Sequence, residues 1–274
     1  MSKKVILVVL DGLNYVTAKN CMGFLSGLIE QKIATLYRVP CELPSMSRPL
    51  YEAILTGVAP VHSGIVNNHI VRNSNQHSVF SLARDSGLTT AAAAYHWFSE
   101  LYNRSPYDAV RDRFTNDSTQ MIQNAIFYSQ DTYPDSHLYL DAEWLRRTYD
   151  PDFLLVHPMN IDDAGHRAGL DSAHYRNTAR HSDFHLSNYL LPWIEADYQV
   201  MVTADHGMNN DKSHGGTLIE ERDVPLYVIG DGFTHDESAV PGQLEICGTV
   251  CELLGIKNHG KPIADKLLVD EISL

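Results

Sequence analysis

Aspartate and histidine recur in this sequence where apolar runs end. Val5 to Leu10 stops at Asp11, Val200 to Thr203 is followed by Asp205 and His206, and Phe153 to Val156 by Asp162 and His166. Carboxylates and imidazoles gathered at neighbouring strand ends repel one another or stay poorly solvated unless a cation joins them. A metal ion supplies that charge. Asp/His ligation without thiolate suits zinc first and manganese or iron second. Ser47-Arg48-Pro49 opens another helix-like segment, which places Ser47 just before a helix N-terminus, where backbone N–H groups and the dipole favour an anion. A hydroxyl there can be an activated nucleophile, or simply a helix-start serine.

Elements able to hold these residues follow from apolar patterning. Runs at Val5–Leu10, Thr89–Ala94, Phe153–Val156, Val200–Thr203 and Val224–Ile229 are apolar on both faces and alternate with helical segments. That pattern predicts an α/β fold with a mostly parallel central sheet covered on both sides. Helices are expected over 22–33, 49–55, 172–195 and 244–254, with Leu186, Leu190 and Trp193 on one stripe. In open parallel sheets ligands bind outside the carboxyl ends of the strands, where the aspartates and histidines fall. Asp162 and His166 are placed in the loop after their strand.

The chain has 274 residues, 44% of them hydrophobic. That suits one domain over 1–274. Residues 95–135, rich in aromatics among polar residues, form either a small cap bordering the substrate pocket or a surface excursion packed on itself. A formal net charge of −13 disfavours a nucleic-acid polymer, whose binding rests on many Lys/Arg contacts, but is compatible with a small phosphorylated ligand held by metal ions. The apolar run after Met1-Ser2-Lys3-Lys4 is short and meets Asp11, so it reads as a strand rather than a leader. No run approaches the ~20 apolar residues of a membrane span, and a cytoplasmic location is expected. Cys247 and Cys251, one helical turn apart, are assigned to core packing.

The motifs, taken in order, resemble the alkaline phosphatase superfamily, and within it the nucleotide pyrophosphatase/phosphodiesterase (type I phosphodiesterase) branch. Val5-Ile-Leu-Val-Val-Leu-Asp-Gly is similar to that branch's first strand and first metal-binding aspartate. Ser47-Arg48-Pro49 stands where the branch has Thr-x-Pro, Thr56-Gly57 matches its Thr-Gly, and Ser63-Gly64-Ile65-Val66-Asn67-Asn68 its His-Gly-Ile-x-x-Asn. Asp162-Asp163-Ala164-Gly165-His166 is similar to Asp-x-x-Gly-His, Asp205-His206-Gly207 to Asp-His-Gly, and His214 before Val224-Pro225-Leu226 to the last histidine ligand.

The resemblance implies a three-layer, alkaline-phosphatase-like domain and two divalent metal ions. Asp162, His166 and His214 would hold one, and Asp11, Asp205, His206 and the Ser47 oxygen the other, with Asn68 donating to a phosphoryl oxygen. It implies hydrolysis of a phosphodiester or nucleotide pyrophosphate through a phosphoseryl intermediate. Ser47 in place of threonine, and Arg48 beside it, depart from the branch. Arg48 points either to a phosphate oxygen, favouring a monoester or phosphonate substrate, or to solvent. A non-catalytic metal-binding protein is the alternative from another class. Ser45 is the rival nucleophile and Asp163 the rival ligand. His157 is expected to support a ligand, and His174, His181 and His185 to form a hydrated helix face.

Overall fold

The computed structural model describes residues 2–269. Eight strands form one sheet: β1 (Lys4–Val9), β2 (Ala34–Pro40), β3 (Thr90–Tyr95), β4 (Phe114–Asn116), β5 (Asn124–Tyr128), β6 (Phe153–Val156), β7 (Tyr198–Thr203) and β8 (Asp223–Ile229). Their spatial order is β2-β8-β7-β1-β6-β3-β5-β4. The five strands from β7 to β5 run parallel, while β8 is antiparallel to β7, β2 to β8 and β4 to β5.

The central strands are buried on both faces, which is why they are apolar throughout. Val5 to Val9 and Ala91 to Ala94 have essentially no exposed surface, as expected where helices cover a parallel sheet on two sides. Helices Ser47–Thr56, Val79–Asp85 and Glu245–Leu253 pack on one another, and helices Tyr15–Cys21, Gly23–Glu30, Asp135–Tyr149, Asn160–Ala168 and Ala173–Ser187 form the second set. The alanines of β3 meet Val79–Asp85 from the first set and Asp135–Tyr149 from the second. A three-layer domain results.

Several boundaries differ from the sequence reading. The helix expected over 22–33 runs over Gly23–Glu30, and a further helix, Tyr15–Cys21, precedes it; Asn14 caps this one, its Oδ1 accepting the Val16 and Thr17 N–H groups. The helix expected over 172–195 divides at Asn188 and Tyr189, although its buried stripe of Leu186, Leu190 and Trp193 holds. The edge strand β2 alternates buried and exposed residues, a weaker signal than a continuous apolar run. Residues 95–135 do not stand apart as a cap: they supply β4 and β5, which extend the sheet. Cys247 and Cys251 are buried in the core. No helix of the described residues is long and apolar enough to cross a membrane.

Candidate metal and phosphoryl site

Asp11, Ser47, Asp162, His166, Asp205, His206 and His214 gather beyond the carboxyl ends of β1, β6 and β7, whereas His174, His181 and His185 lie on helix Ala173–Ser187. Asp11 leaves β1 and is fully buried. Its Oδ2 accepts the Tyr51 hydroxyl and the Nε2–H of His157, the latter at 3.0 Å, while Oδ1 has no partner. Burial, and then the charge of Asp162, push its carboxyl well above the usual range. Asp205 is built the same way: Oδ1 accepts the Gly12 N–H at 3.1 Å, Oδ2 is unpartnered, and burial followed by the Asp11 charge raises it. Gly12 has φ +73°, and a Cβ there would lie 2.8 Å from Asp162 Oδ1. Glycine is therefore what lets the β1 turn approach Asp162.

Asp162 and His166 sit on helix Asn160–Ala168 rather than in a loop. Four residues apart, they share one helix face, with His166 Nε2 3.3 Å from Asp162 Oδ2. Asp162 Oδ1 is the third unpartnered buried carboxylate oxygen. Asp163 instead pairs with Arg167 at 2.8 Å.

The three histidines are oriented alike. His166 Nδ1 lies 2.9 Å from Lys212 O, His206 Nδ1 2.8 Å from Gly207 O and His214 Nδ1 2.7 Å from Ser45 O. A carbonyl only accepts, so each Nδ1 carries a proton and each Nε2 is the end turned toward the site, where Asp162 pushes the His166 ring up to about 9. Those Nε2 atoms converge: His214 lies 3.2 Å from His166 and 3.6 Å from Asp162 Oδ1, and His206 lies 3.2 Å from Asp205 Oδ2 and 3.5 Å from Asp11 Oδ1. Burial, and then the neighbouring His214, hold His206 down at about 3, so it stays neutral and cannot compensate the carboxylates.

Three orphaned carboxylate oxygens facing three imidazole Nε2 atoms make a site short of positive charge. The donor set of carboxylate oxygens and imidazole nitrogens fits divalent cations, and its buried oxygens have no protein partner. Two groups have all their ligand atoms within 4.8 Å of one another: Asp11, Asp205 and His206, and Asp162, His206 and His214. His206 lies in both groups, and half-exposed His166 borders the second through Asp162 and His214.

Ser47 occupies the first turn of helix Ser47–Thr56 rather than the residue before it. It is buried, with Oγ 3.0 Å from His206 Nε2. Ser45 is excluded as nucleophile because its hydroxyl donates to Gly216 O and accepts the Gly215 N–H, fixing the His214 loop. Asn68 Oδ1 accepts the Arg48 N–H at 3.0 Å, and its Nδ2 donates to no protein group among the described residues. Arg48 does not reach solvent: it is 2% exposed and pairs with Glu100 at 2.8 Å through Nη2, while its buried Nη1 has no protein partner among the described residues. Tyr51 escaped sequence reading, although it lies four residues after Ser47 on the same helix face.

A family model described as type I phosphodiesterase/nucleotide pyrophosphatase matches residues 5–221. The chain belongs to this family. It thereby falls within the alkaline phosphatase superfamily. Curated relatives include a GPI ethanolamine phosphate transferase 2 from Debaryomyces hansenii, 23% identical over 84% of this chain and 26% of the relative. The human GPI ethanolamine phosphate transferase 2 catalytic subunit is 22% identical over 92% and 26%. The chain thus spans about a quarter of the length of these relatives. Among solved structures, an inactive murine ectonucleotide pyrophosphatase/phosphodiesterase 5 in complex with AMP aligns with a TM-score of 0.77 at 14% identity, covering 98% of this chain and 100% of that one. That likeness is one of fold.

Proposed function

We propose that this chain is a two-metal phosphodiesterase acting through a phosphoseryl intermediate on Ser47. The observation that carries this is the Ser47 hydroxyl, buried at the head of its helix and 3.0 Å from His206 Nε2, where the two ligand groups meet. Divalent cations, zinc by the Asp/His donor set, would favour the serine alkoxide and steady the departing oxygen. The chain's own residues supply the rest. Ser47 Oγ attacks phosphorus, its proton passing to solvent, and the bond to the leaving alcohol breaks. Water then attacks the phosphorus of this seryl ester, which still carries the second alkyl group, restoring the Ser47 hydroxyl and releasing a phosphate monoester. The Asn68 amide donates to a non-bridging oxygen, and Tyr51 and His157 hold Asp11 in place.

The relatives named for ethanolamine phosphate transfer favour a second reading. The same intermediate, still carrying its ethanolamine arm, would then pass ethanolamine phosphate to an alcohol instead of water. The Arg48–Glu100 pair balances the arginine's charge, which weakens the reason to prefer a monoester or phosphonate.

The test is metal content together with turnover of bis(nitrophenyl) phosphate and nitrophenyl phosphate by the natural chain and Ser47→Ala. We expect bound zinc or manganese, preference for the diester, and loss of at least ~1000-fold in kcat with Ser47→Ala. Turnover unaffected by that substitution would sink the reading.

A further inference from the structure

Arg48 lies next to the nucleophile and is bonded twice to Asn68. Its backbone N–H donates to Asn68 Oδ1 at 3.0 Å and its Nε donates to the Asn68 carbonyl oxygen at 3.0 Å. One residue therefore grips both the side chain and the main chain of Asn68. The guanidinium is held in turn: Nη2 donates to Glu100 Oε2 at 2.8 Å, and its carbon stands 4.4 Å from the centre of the Trp97 ring. Glu100 is itself anchored, Oε1 accepting the Tyr107 N–H at 3.2 Å.

We infer that Arg48, locked by Glu100 and Trp97, is a positioning residue that aims the Asn68 amide at the phosphoryl group. An asparagine amide has an accepting end and a donating end. With Oδ1 held by the Arg48 N–H, Nδ2 is the end left to donate. The loop of residues 64–78 contains no helix or strand, so nothing in its own secondary structure fixes that orientation. A planar fork suits the task because Nε and Nη2 bind two different carbonyl-type oxygens at once, which an ammonium cannot do in the same geometry. The buried ion pair also explains why an arginine beside the nucleophile is compatible with a diester-cleaving site: Glu100 already balances its charge.

This inference rests on the reading of Ser47 as nucleophile, and its test separates the two. Removing only one partner would strand a buried charge, so the variant is Arg48→Met with Glu100→Gln, combined with Asn68→Ala in a double-mutant cycle. Diester kcat/KM, metal content and the unfolding midpoint are measured on each. In the natural background Asn68→Ala should cost about 100-fold, the usual loss for one oxyanion donor. In the paired background, with metal retained, it should cost less than about threefold, because loss of the Nε bond releases the Asn68 main chain and carries the amide away from the phosphoryl group even though the Arg48 N–H remains. The milder Arg48→Lys, which keeps a charge for Glu100 but loses the Nε donor, gives the same readout if the paired variant does not fold. An equal cost of Asn68→Ala in both backgrounds overturns the positioning role while leaving the nucleophile untouched. Turnover unaffected by Ser47→Ala would defeat the nucleophile, and the positioning role with it.

Discussion

His206 and His214 lie face to face, ring centroids 3.5 Å apart and planes within 16° of parallel. Each is turned by a carbonyl on Nδ1, so the stacked pair presents two lone pairs side by side.

Because His206 sits in both ligand groups and His166 only borders one, their loss should differ in metal stoichiometry. His206→Ala is expected to bind neither ion tightly, whereas His166→Ala should retain one. Metal analysis after gel filtration reads the difference, and equal loss in the two variants would contradict the shared position of His206.

Tyr51 supplies a hydroxyl to Asp11 Oδ2 while its ring stacks on Phe98 at 4.4 Å. Tyr51→Phe keeps the stacking and removes the donor. Groups that orient a ligand typically contribute 10- to 100-fold in metal affinity, and about that loss is expected in a chelator competition. Unchanged affinity would show that His157 alone suffices.

Asp135 is buried against the start of helix Asn160–Ala168, its Oδ1 accepting the Asn160 N–H at 3.3 Å, and burial pushes its carboxyl up to about 7. The folded chain therefore holds a proton that the unfolded chain releases above pH ~4. This contribution is complete below the unfolded value and is lost as pH rises from about 4 to about 7. Asp135→Asn keeps the acceptor without the titration. It should gain roughly 2 to 4 kcal/mol over the natural chain between pH 4 and pH 8, read from urea unfolding of metal-saturated protein. Parallel pH curves for the two proteins would refute the assignment.

What was legible in the sequence divides along physical lines. β1, β3, β6, β7 and β8 were readable because strands buried on both faces are apolar without interruption. Asp11, Asp205 and His206 were readable because parallel strands deliver their last residues to one edge. The edge strand β2, half exposed and carrying Arg38 and Pro40, offered no such run, and β5 was masked by the aromatics around it. Asp162 and His166 were found by motif but assigned to a loop, although their four-residue spacing is helical. The Arg48–Glu100 pair spans 52 positions, and no local pattern announces it. His157 was noted, but its bond to Asp11 crosses 146 positions.

The buried Arg48–Glu100 pair has a last consequence, in charge balance. That pair sums to zero, so the formal charge of the pocket is set by Asp11, Asp162 and Asp205 against the ions proposed there. Three negative charges and two divalent cations leave one positive charge while Ser47 stays protonated. A phosphodiester monoanion brings the pocket to neutrality, whereas a monoester dianion overshoots it by one. Selectivity for diesters would then be written in the net charge of a closed space rather than in any single contact with the leaving group.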